Sequence, residues 1–574
     1  MQLRHVKVCG FRGIKSLDWT VDGRTVGLIG PGDSTKTTIL DAVEYALWPR
    51  WSLLLYDSDF HGGRPLNPIQ IEVTVGELPG ALVRDDKFGL YLRGWRSDGI
   101  VDEPEEAAES VLTIRLAVST DLEPTWTVAT DRHGDGMTIG WRDRAKLGVT
   151  RLGSEMTRDL AWGRASALSR LGSDDDIGDV LAKAYRNARD AITPDQLGNL
   201  GNVAARAAQA ALELGVNPVS GFLPALDPAT MSIPTGAISL HDGALPVRSS
   251  GLGTRRLVAL AIQRALVKEG AIVLVDELEY GLEPHRIRHL VRVLRRGVHG
   301  PHGEHATEAM ASGQVVFTTH SAHALVELDA AEVRVVRTEA GETEVQKPEP
   351  GLQGIMRSEP EGLLGRRLVV CEGATEVGMC WGMEAPWQAL HDDVPLACLG
   401  VVFLDGEGSS APQRALDLAR LGYPTAYFAD SDRATSPSRE ELEGAGIEVI
   451  VWDGASTEER VFADLPLDRL QQVLDLAVNM DDEDQSRASI RDSAAHYLGA
   501  RGSAFSLDLS ASIEFGVSET EMRNALGCAA KRNGWYKNCG KGKDLAPVVA
   551  EALPVIPNSD LAVKLRQLEM WCYA

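Results

Sequence analysis

Residues 30–38 read Gly-Pro-Gly-Asp-Ser-Thr-Lys-Thr-Thr directly after the apolar run 24–30. That junction commits the chain to a buried strand, a tight loop and a helix. The helix is expected over 36–47, with Ile39, Leu40, Val43, Ala46 and Leu47 on one face and Pro49 as its stop. A loop that cradles phosphate needs glycines where backbone N–H groups approach the anion, a lysine for its charge and a hydroxyl for Mg²⁺. Gly30, Gly32, Lys36, Thr37 and Thr38 supply those types. Thr35 stands where the pattern has its second glycine, so a threonine must tolerate the tight backbone there. Taken alone, the stretch is equally a turn entering a helix.

Later residues give the loop company. Residues 271–277, AIVLVDE, read as a buried strand ending in two acids: Asp276 suits a magnesium shell and Glu277 a base for attacking water. His320 closes the next strand, VVFTTH, where it can contact a terminal phosphate. Ser249, Ser250 and Gly251 open a helix expected over 254–268, an anion site. In this order the pieces resemble the ATP-binding cassette ATPases, including the turn Gly281-Leu282-Glu283-Pro284. The signature stretch is degenerate. Arg12, in GFRGI, is similar to the arginine near the first strand of the RecF/SMC-like branch. The resemblance implies ATP binding and hydrolysis. Asp57 and Asp59 fall where a Q-loop would lie, with loop surface or helix capping as their plainer role.

A second motif set follows. VVCEGATE (369–376) is a strand ending in Glu372, with Glu376 one helical turn on, and FADSD (428–432) delivers Asp430 and Asp432 the same way. Strand ends project from the carboxyl edge of a sheet, where open α/β sheets bind ligands. Converging oxygen donors suit Mg²⁺ or Mn²⁺. Asp405 tips another strand, as a supporting acid or a cap, and Glu458, preferred over Glu459, follows the strand at 446–452. The two acid motifs in an α/β rhythm resemble the Toprim domain of topoisomerases, primases and related nucleases. That resemblance implies a catalytic Glu372, metal ligands Glu372, Glu376, Asp430, Asp432 and Glu458, and a lysine that stabilises phosphorane charge. Lys537 in Gly534-Trp535-Tyr536-Lys537 is the choice for it, with Lys541 and Lys543 behind. No zinc module precedes the unit, and no tyrosine-bearing cleavage domain accompanies it.

Length and charge bound the rest. A chain of 574 residues should form several domains. The expected division is 1–156 and 217–350 for the two parts of an ATPase domain, with a helical insertion at 157–216 that either packs in the subunit or dimerises. A linker at 351–365 and an acid-bearing unit at 366–574 complete it. The fold class is α/β: an ABC-type ATPase domain with a helical insertion, followed by a Toprim α/β domain. Seven scattered cysteines without a CxxC pair, and no long apolar run, point to a reducing, cytoplasmic setting without a membrane partner. The net charge of −24 is unusual for a nucleic-acid binder, and predicts local basic patches and strong salt dependence. Runs such as 174–176 and 481–484 read as solvated loops or helix ends.

An ABC-type ATPase followed by a Toprim unit resembles the OLD (overcoming lysogenisation defect) nuclease family, and within it the Gabija-type antiphage nuclease subunit. The resemblance implies an ATP-gated, Mg²⁺-dependent DNA endonuclease in defence against phage or plasmid DNA. It further implies homodimers or larger assemblies and, in some members, a separate helicase or reverse-transcriptase partner. Two rivals remain: a RecF/SMC-like DNA-maintenance ATPase, and a nuclease whose ATPase site binds nucleotide without turnover.

Overall fold

A computed structural model describes the chain except residues 33, 85–86, 97–98, 135, 154–155, 163–165, 172–179, 181–182, 185, 188–190, 192–197, 217–218, 225–237, 268–269, 300–312, 431–434 and 479–481. Asp432, the acidic run 174–176 and much of the expected insertion lie outside the described residues.

The large sheet has a parallel half and an antiparallel half. Its parallel half runs Val149–Leu152, Ile272–Val275, Gln314–Thr318, Thr25–Ile29 and Val333–Glu339. Such strands are covered on both faces, and the sequences TVGLI and IVLV are buried at every position. The other half continues through Glu342–Gln346, Ile14–Thr20, Gln2–Phe11, Ile69–Gly76 and Glu109–Val118, antiparallel except where Glu342–Gln346 lies parallel to Ile14–Thr20. There the apolar–polar alternation of residues 70–130 predicts antiparallel strands, and Ile69–Gly76, Glu109–Val118 and Pro124–Val128 form such a ladder. The helix Lys36–Ala46 buries Ile39, Leu40, Ala42, Val43 and Ala46 beneath this half. Each fully buried Ile or Leu there contributes about 2 kcal/mol.

A second sheet is wholly parallel, in the order Val401–Asp405, Arg367–Cys371, Thr425–Ala429, Glu448–Val451. The chain leaves Arg367–Cys371 toward one edge and Thr425–Ala429 toward the other. The crevice where such connections diverge is where open α/β sheets take ligands, and Glu372 and Asp430 are the residues that follow these two strands.

Residues 351–365, expected as a linker of low order, are instead packed short helices. Pro350–Leu352, Gln353–Ser358 and Pro360–Leu364 bury Leu352, Ile355, Met356 and Leu363. These side chains share one apolar core with Ile29, Val275 and Val335 of the first unit and Leu368, Val370 and Tyr427 of the second. Arg337 adds a cation–π contact on Tyr423, 4.1 Å from the ring centroid. The Gly-, Glu- and Pro-rich stretch 339–351 before them reads in sequence as a segment of lower order, because a hairpin with polar outer positions looks the same. Ala340 and Gly341, both at positive φ, turn that hairpin.

In the insertion, Leu200–Glu213 is the long described helix, with no buried side chain.

Candidate functional site

Three neighbouring parallel strands bring the first motif set to one edge. Thr25–Ile29 delivers Gly30, Gln314–Thr318 delivers Thr319 and His320, and Ile272–Val275 delivers Asp276 and Glu277. Gly30 has φ +144°, and a Cβ there would meet the Val336 carbonyl oxygen at 2.3 Å, so no other residue fits. Thr35 adopts the left-handed conformation, φ +63°. Its hydroxyl offsets part of that strain by donating to the Ser34 carbonyl at 2.7 Å and meeting the Thr338 hydroxyl at 3.0 Å. The buried Lys36 ammonium sits inside the loop, donating to the Gly30 and Pro31 carbonyls and the Ser34 hydroxyl at 3.1, 2.8 and 2.9 Å.

Asp276 is the hub. One carboxylate oxygen accepts from the Thr37 hydroxyl at 3.1 Å and the Thr318 hydroxyl at 2.6 Å; the other accepts from Arg151 at 2.7 Å. Thr37 and Asp276, both expected beside Mg²⁺, therefore meet. Glu277 lies next to them at positive φ (+43°), its N–H held by the Thr318 hydroxyl at 2.8 Å. The His320 N–H donates to Glu279 at 2.7 Å, and burial, followed by the nearby Lys36 charge, lowers the imidazole pKa.

Sequence reading missed Arg151, Arg256 and Glu279. Arg151 also pairs with Asp41 and Glu44, and Arg256 donates to the carbonyls of Asp276 and Glu277 at 2.9 and 2.6 Å. These residues frame a cavity of about 410 Å³ lined by Glu44, Arg151, Gly153, Arg256, Glu277 and Tyr280. Arg151→Ala is expected to destabilise the fold by about 2 kcal/mol, since three partly buried acids lose their shared cation. Equilibrium urea denaturation checks this, and an unchanged midpoint contradicts it.

Arg12, expected near nucleotide, is turned to protein. It donates to Asp59 at 2.8 Å, pairs with Asp41 and reaches the Tyr45 hydroxyl at 3.2 Å. Asp59 in turn accepts from the Tyr56 N–H at 2.9 Å, a capping role. Ser250 and Gly251 precede the helix Leu252–Ala265, which starts two residues earlier than expected. Gly253 lets that helix approach the Gly281 turn: a Cβ there would stand 2.5 Å from the Gly281 oxygen. Gly32 and Thr38 complete the loop and the first helical turn.

At the second edge Glu372 accepts from the Asp430 N–H at 2.9 Å. Thr457 binds two acids: its hydroxyl lies 2.6 Å from Glu376 and 3.1 Å from Asp430, and its N–H donates to Asp430 at 2.7 Å. The Trp452 indole N–H donates to the same hydroxyl at 2.7 Å, so its single proton is left for the carboxylates. Burial, then the neighbouring Asp430, raises the Glu376 pKa to about 8; burial, then Glu372, raises that of Asp430 to about 7. Buried Glu458 adds negative charge to both. Glu459 turns away, onto Lys531 at 3.0 Å. Asp405 holds the Glu407 N–H at 2.8 Å, as a cap.

This set is oxygen-only and carries more negative charge than its burial favours, which fits a hard divalent cation. No group of three or more His, Cys, Asp and Glu is drawn into a metal-holding arrangement among the described residues, which exclude Asp432. Lys537 is exposed beside this edge: the carbonyl of its neighbour Tyr536 accepts from the Thr375 hydroxyl at 3.1 Å. The alignment depends on Gly378, where a Cβ would strike the Cys539 carbonyl oxygen at 2.3 Å. Lys541 is used elsewhere, on the Ala477 carbonyl at 3.0 Å, and Lys543 faces Glu384.

Residues 144–327 match the family described as "AAA domain, putative AbiEii toxin, Type IV TA system". This ATPase-domain match includes Arg151, Asp276, Glu277 and His320 but ends before the second sheet. No curated protein matches the chain. Among solved structures, an SMC head bound to the C-terminal winged-helix domain of ScpA is similar at 16% identity, with 60% of this chain and 97% of that chain covered and a TM-score of 0.32. The SMC head domain from Thermotoga maritima gives 14% identity, 61% and 100% coverage and a TM-score of 0.27. An SMC head with an extended coiled coil from Pyrococcus furiosus, bound to the C-terminal domain of ScpA, gives 13%, 62% and 98%, and 0.33. Among the described residues no helix is long and apolar enough to cross a membrane.

Proposed function

We propose that the chain is an ATP-regulated, divalent-metal-dependent DNA endonuclease with a Toprim-type cleaving unit, of the OLD type, acting against invading DNA. The observation that carries this reading is the linkage of three acids at the crevice of a parallel sheet: Glu372 accepts the Asp430 N–H, Thr457 joins Glu376 to Asp430, and the charge of Glu458 acts on both Glu376 and Asp430. Glu372, Glu376, Asp430 and Glu458, with Asp432 from the same motif, would hold Mg²⁺ or Mn²⁺. The bound metal supplies charge neutralisation at the scissile phosphate and a more acidic water. Glu372 and Asp430 fix the geometry of the crevice, and Thr457 orients both Glu376 and Asp430. Lys537, on a segment pinned to Thr375, would supply positive charge to the phosphate. At the other edge, Lys36, Thr37 and Asp276 would hold ATP with its cation, and Glu277 would orient the attacking water. Gly251 is exposed and Ser250 half-buried beside it, which suits completion of the site by a second copy of the chain.

Lys537→Ala is expected to slow plasmid nicking by about a hundredfold through loss of one charge at the transition state, whereas Lys541→Ala leaves the rate within a few fold. Equal losses in the two variants contradict the assignment. The rival reading, a DNA-maintenance ATPase without nuclease chemistry, draws on the confinement of the family match to residues 144–327. It leaves the second acid cluster without a task. Supercoiled plasmid incubated with Mg²⁺ or Mn²⁺ separates the two: nicked or linear product supports the nuclease, and intact plasmid in every metal supports the rival.

A further inference from the structure

Arg366 is the last residue before the strand Arg367–Cys371, on the side of the second unit that faces the first. Its backbone N–H donates to the Gly400 carbonyl at 2.8 Å. Its stem lies on Gly400, where an added Cβ would stand 2.9, 3.0 and 3.2 Å from Cγ, Cβ and Cδ. The aliphatic part therefore rests against the Gly400 backbone. The guanidinium reaches the phosphate loop: a Cβ built on Gly32 would lie 3.9 Å from the Arg366 Nη2. Both Gly32 and the Arg366 side chain are exposed, and Arg366 takes part in no side-chain hydrogen bond or ion pair among the described residues. A guanidinium beside a loop of backbone N–H donors, without a partner among the described residues, suits a phosphate oxyanion as its ligand.

We propose that Arg366 is a phosphate-binding residue of the nucleotide site, supplied in cis by the second unit, and that it carries the state of the nucleotide into that unit. The proposal rests on the reading of residues 30–38 as an ATP site. The route is short and stiff. The strand Arg367–Cys371 runs directly from Arg366 to Glu372, and its buried Leu368 and Val370 sit in the apolar core shared by both units. A pull on Arg366 by a bound phosphate thus acts on the strand that presents Glu372. ATP shifts the second unit only to the extent that the two states bind it differently, and a contact from that unit supplies such a difference.

The test is equilibrium binding of ATP with Mg²⁺ to the full chain, together with nucleotide-free and ATP-bound melting temperatures, for wild type, Lys36→Ala, Arg366→Ala and Arg366→Lys. The expected result is about a tenfold weaker ATP affinity for Arg366→Ala, with Arg366→Lys between it and wild type. The nucleotide-free melting temperature should stay within about 2 °C of wild type, while the ATP-induced rise shrinks. A purely structural role would lower the nucleotide-free value instead. Should Arg366→Ala do so, Arg366→Gln, which keeps the stem, is judged by the same criteria. ATP affinity equal to wild type in the uncharged variant, while Lys36→Ala loses binding, overturns the role of Arg366 and leaves the ATP site standing. Failure of wild type itself to bind ATP overturns the site and the proposal together.

Discussion

Glu372→Ala and Asp430→Ala are each expected to reduce DNA cleavage by roughly a thousandfold or more, while ATP binding stays at the wild-type level. The size follows from chemistry. Each substitution deletes a strand-tip carboxylate from the proposed cation site, and several kcal/mol of transition-state charge stabilisation would go with it. The crevice adds a second reason. Glu372 accepts the Asp430 N–H, so its loss also frees the loop that carries Asp430. The two substitutions act on one unit, so the double variant should be no slower than the worse single one. Asp405→Ala is the control from the same sheet edge: its carboxylate caps a turn, and its removal should cost stability rather than metal-dependent rate. Nicking of supercoiled plasmid under single-turnover conditions measures all four. Cleavage by Glu372→Ala within threefold of wild type would remove the acid cluster from the mechanism.

Lys36→Ala and Glu277→Gln should each abolish ATP turnover, by about a thousandfold, for different reasons. Lys36 is the buried cation of the loop, held at the mouth by two carbonyls and a hydroxyl. Without it the phosphates lose their principal countercharge, and binding fails along with turnover. Glu277→Gln keeps shape and hydrogen bonding but removes the negative charge, so it should bind ATP and stall. Steady-state phosphate release and equilibrium ATP binding separate the two outcomes. Phosphate release at the wild-type rate from either variant contradicts the site.

Much of this site was legible because its parts are local. A glycine–lysine–threonine loop after an apolar run, and acids at strand tips, announce themselves within a few residues. Thr35 was flagged as a strained position from its place in the pattern, and it adopts φ +63°. Residues brought in by sheet order were not legible. Arg151 meets Asp276 only because Val149–Leu152 pairs with Ile272–Val275. Thr318 looked like one more β-branched strand residue, yet its hydroxyl binds Asp276 and the Glu277 N–H. Thr457 was passed over for the glutamates beside it, although it joins Glu376 to Asp430. The partners of Arg12 were hidden for the same reason: a matching pattern says nothing about Asp41 and Asp59, which hold it. The packed bridge at 350–364 was hidden by its glycines, prolines and glutamates, because burial there falls on a few spaced apolar side chains.

That bridge bears on how the two sites communicate. One apolar core spans both units, so movement at the ATPase edge has a contiguous path to the strand that ends in Glu372. Hydrolysis of a phosphodiester is downhill and needs no energy from ATP; on the proposed reading the nucleotide would serve to select a state. The direct measurement is plasmid cleavage by the full chain with Mg²⁺, across a range of ATP and of a non-hydrolysable analogue, for wild type and Lys36→Ala. The account predicts metal-dependent cleavage whose rate changes with nucleotide in wild type and does not change in Lys36→Ala. Identical cleavage by the two proteins at every nucleotide concentration, with wild type demonstrably binding ATP, would contradict it.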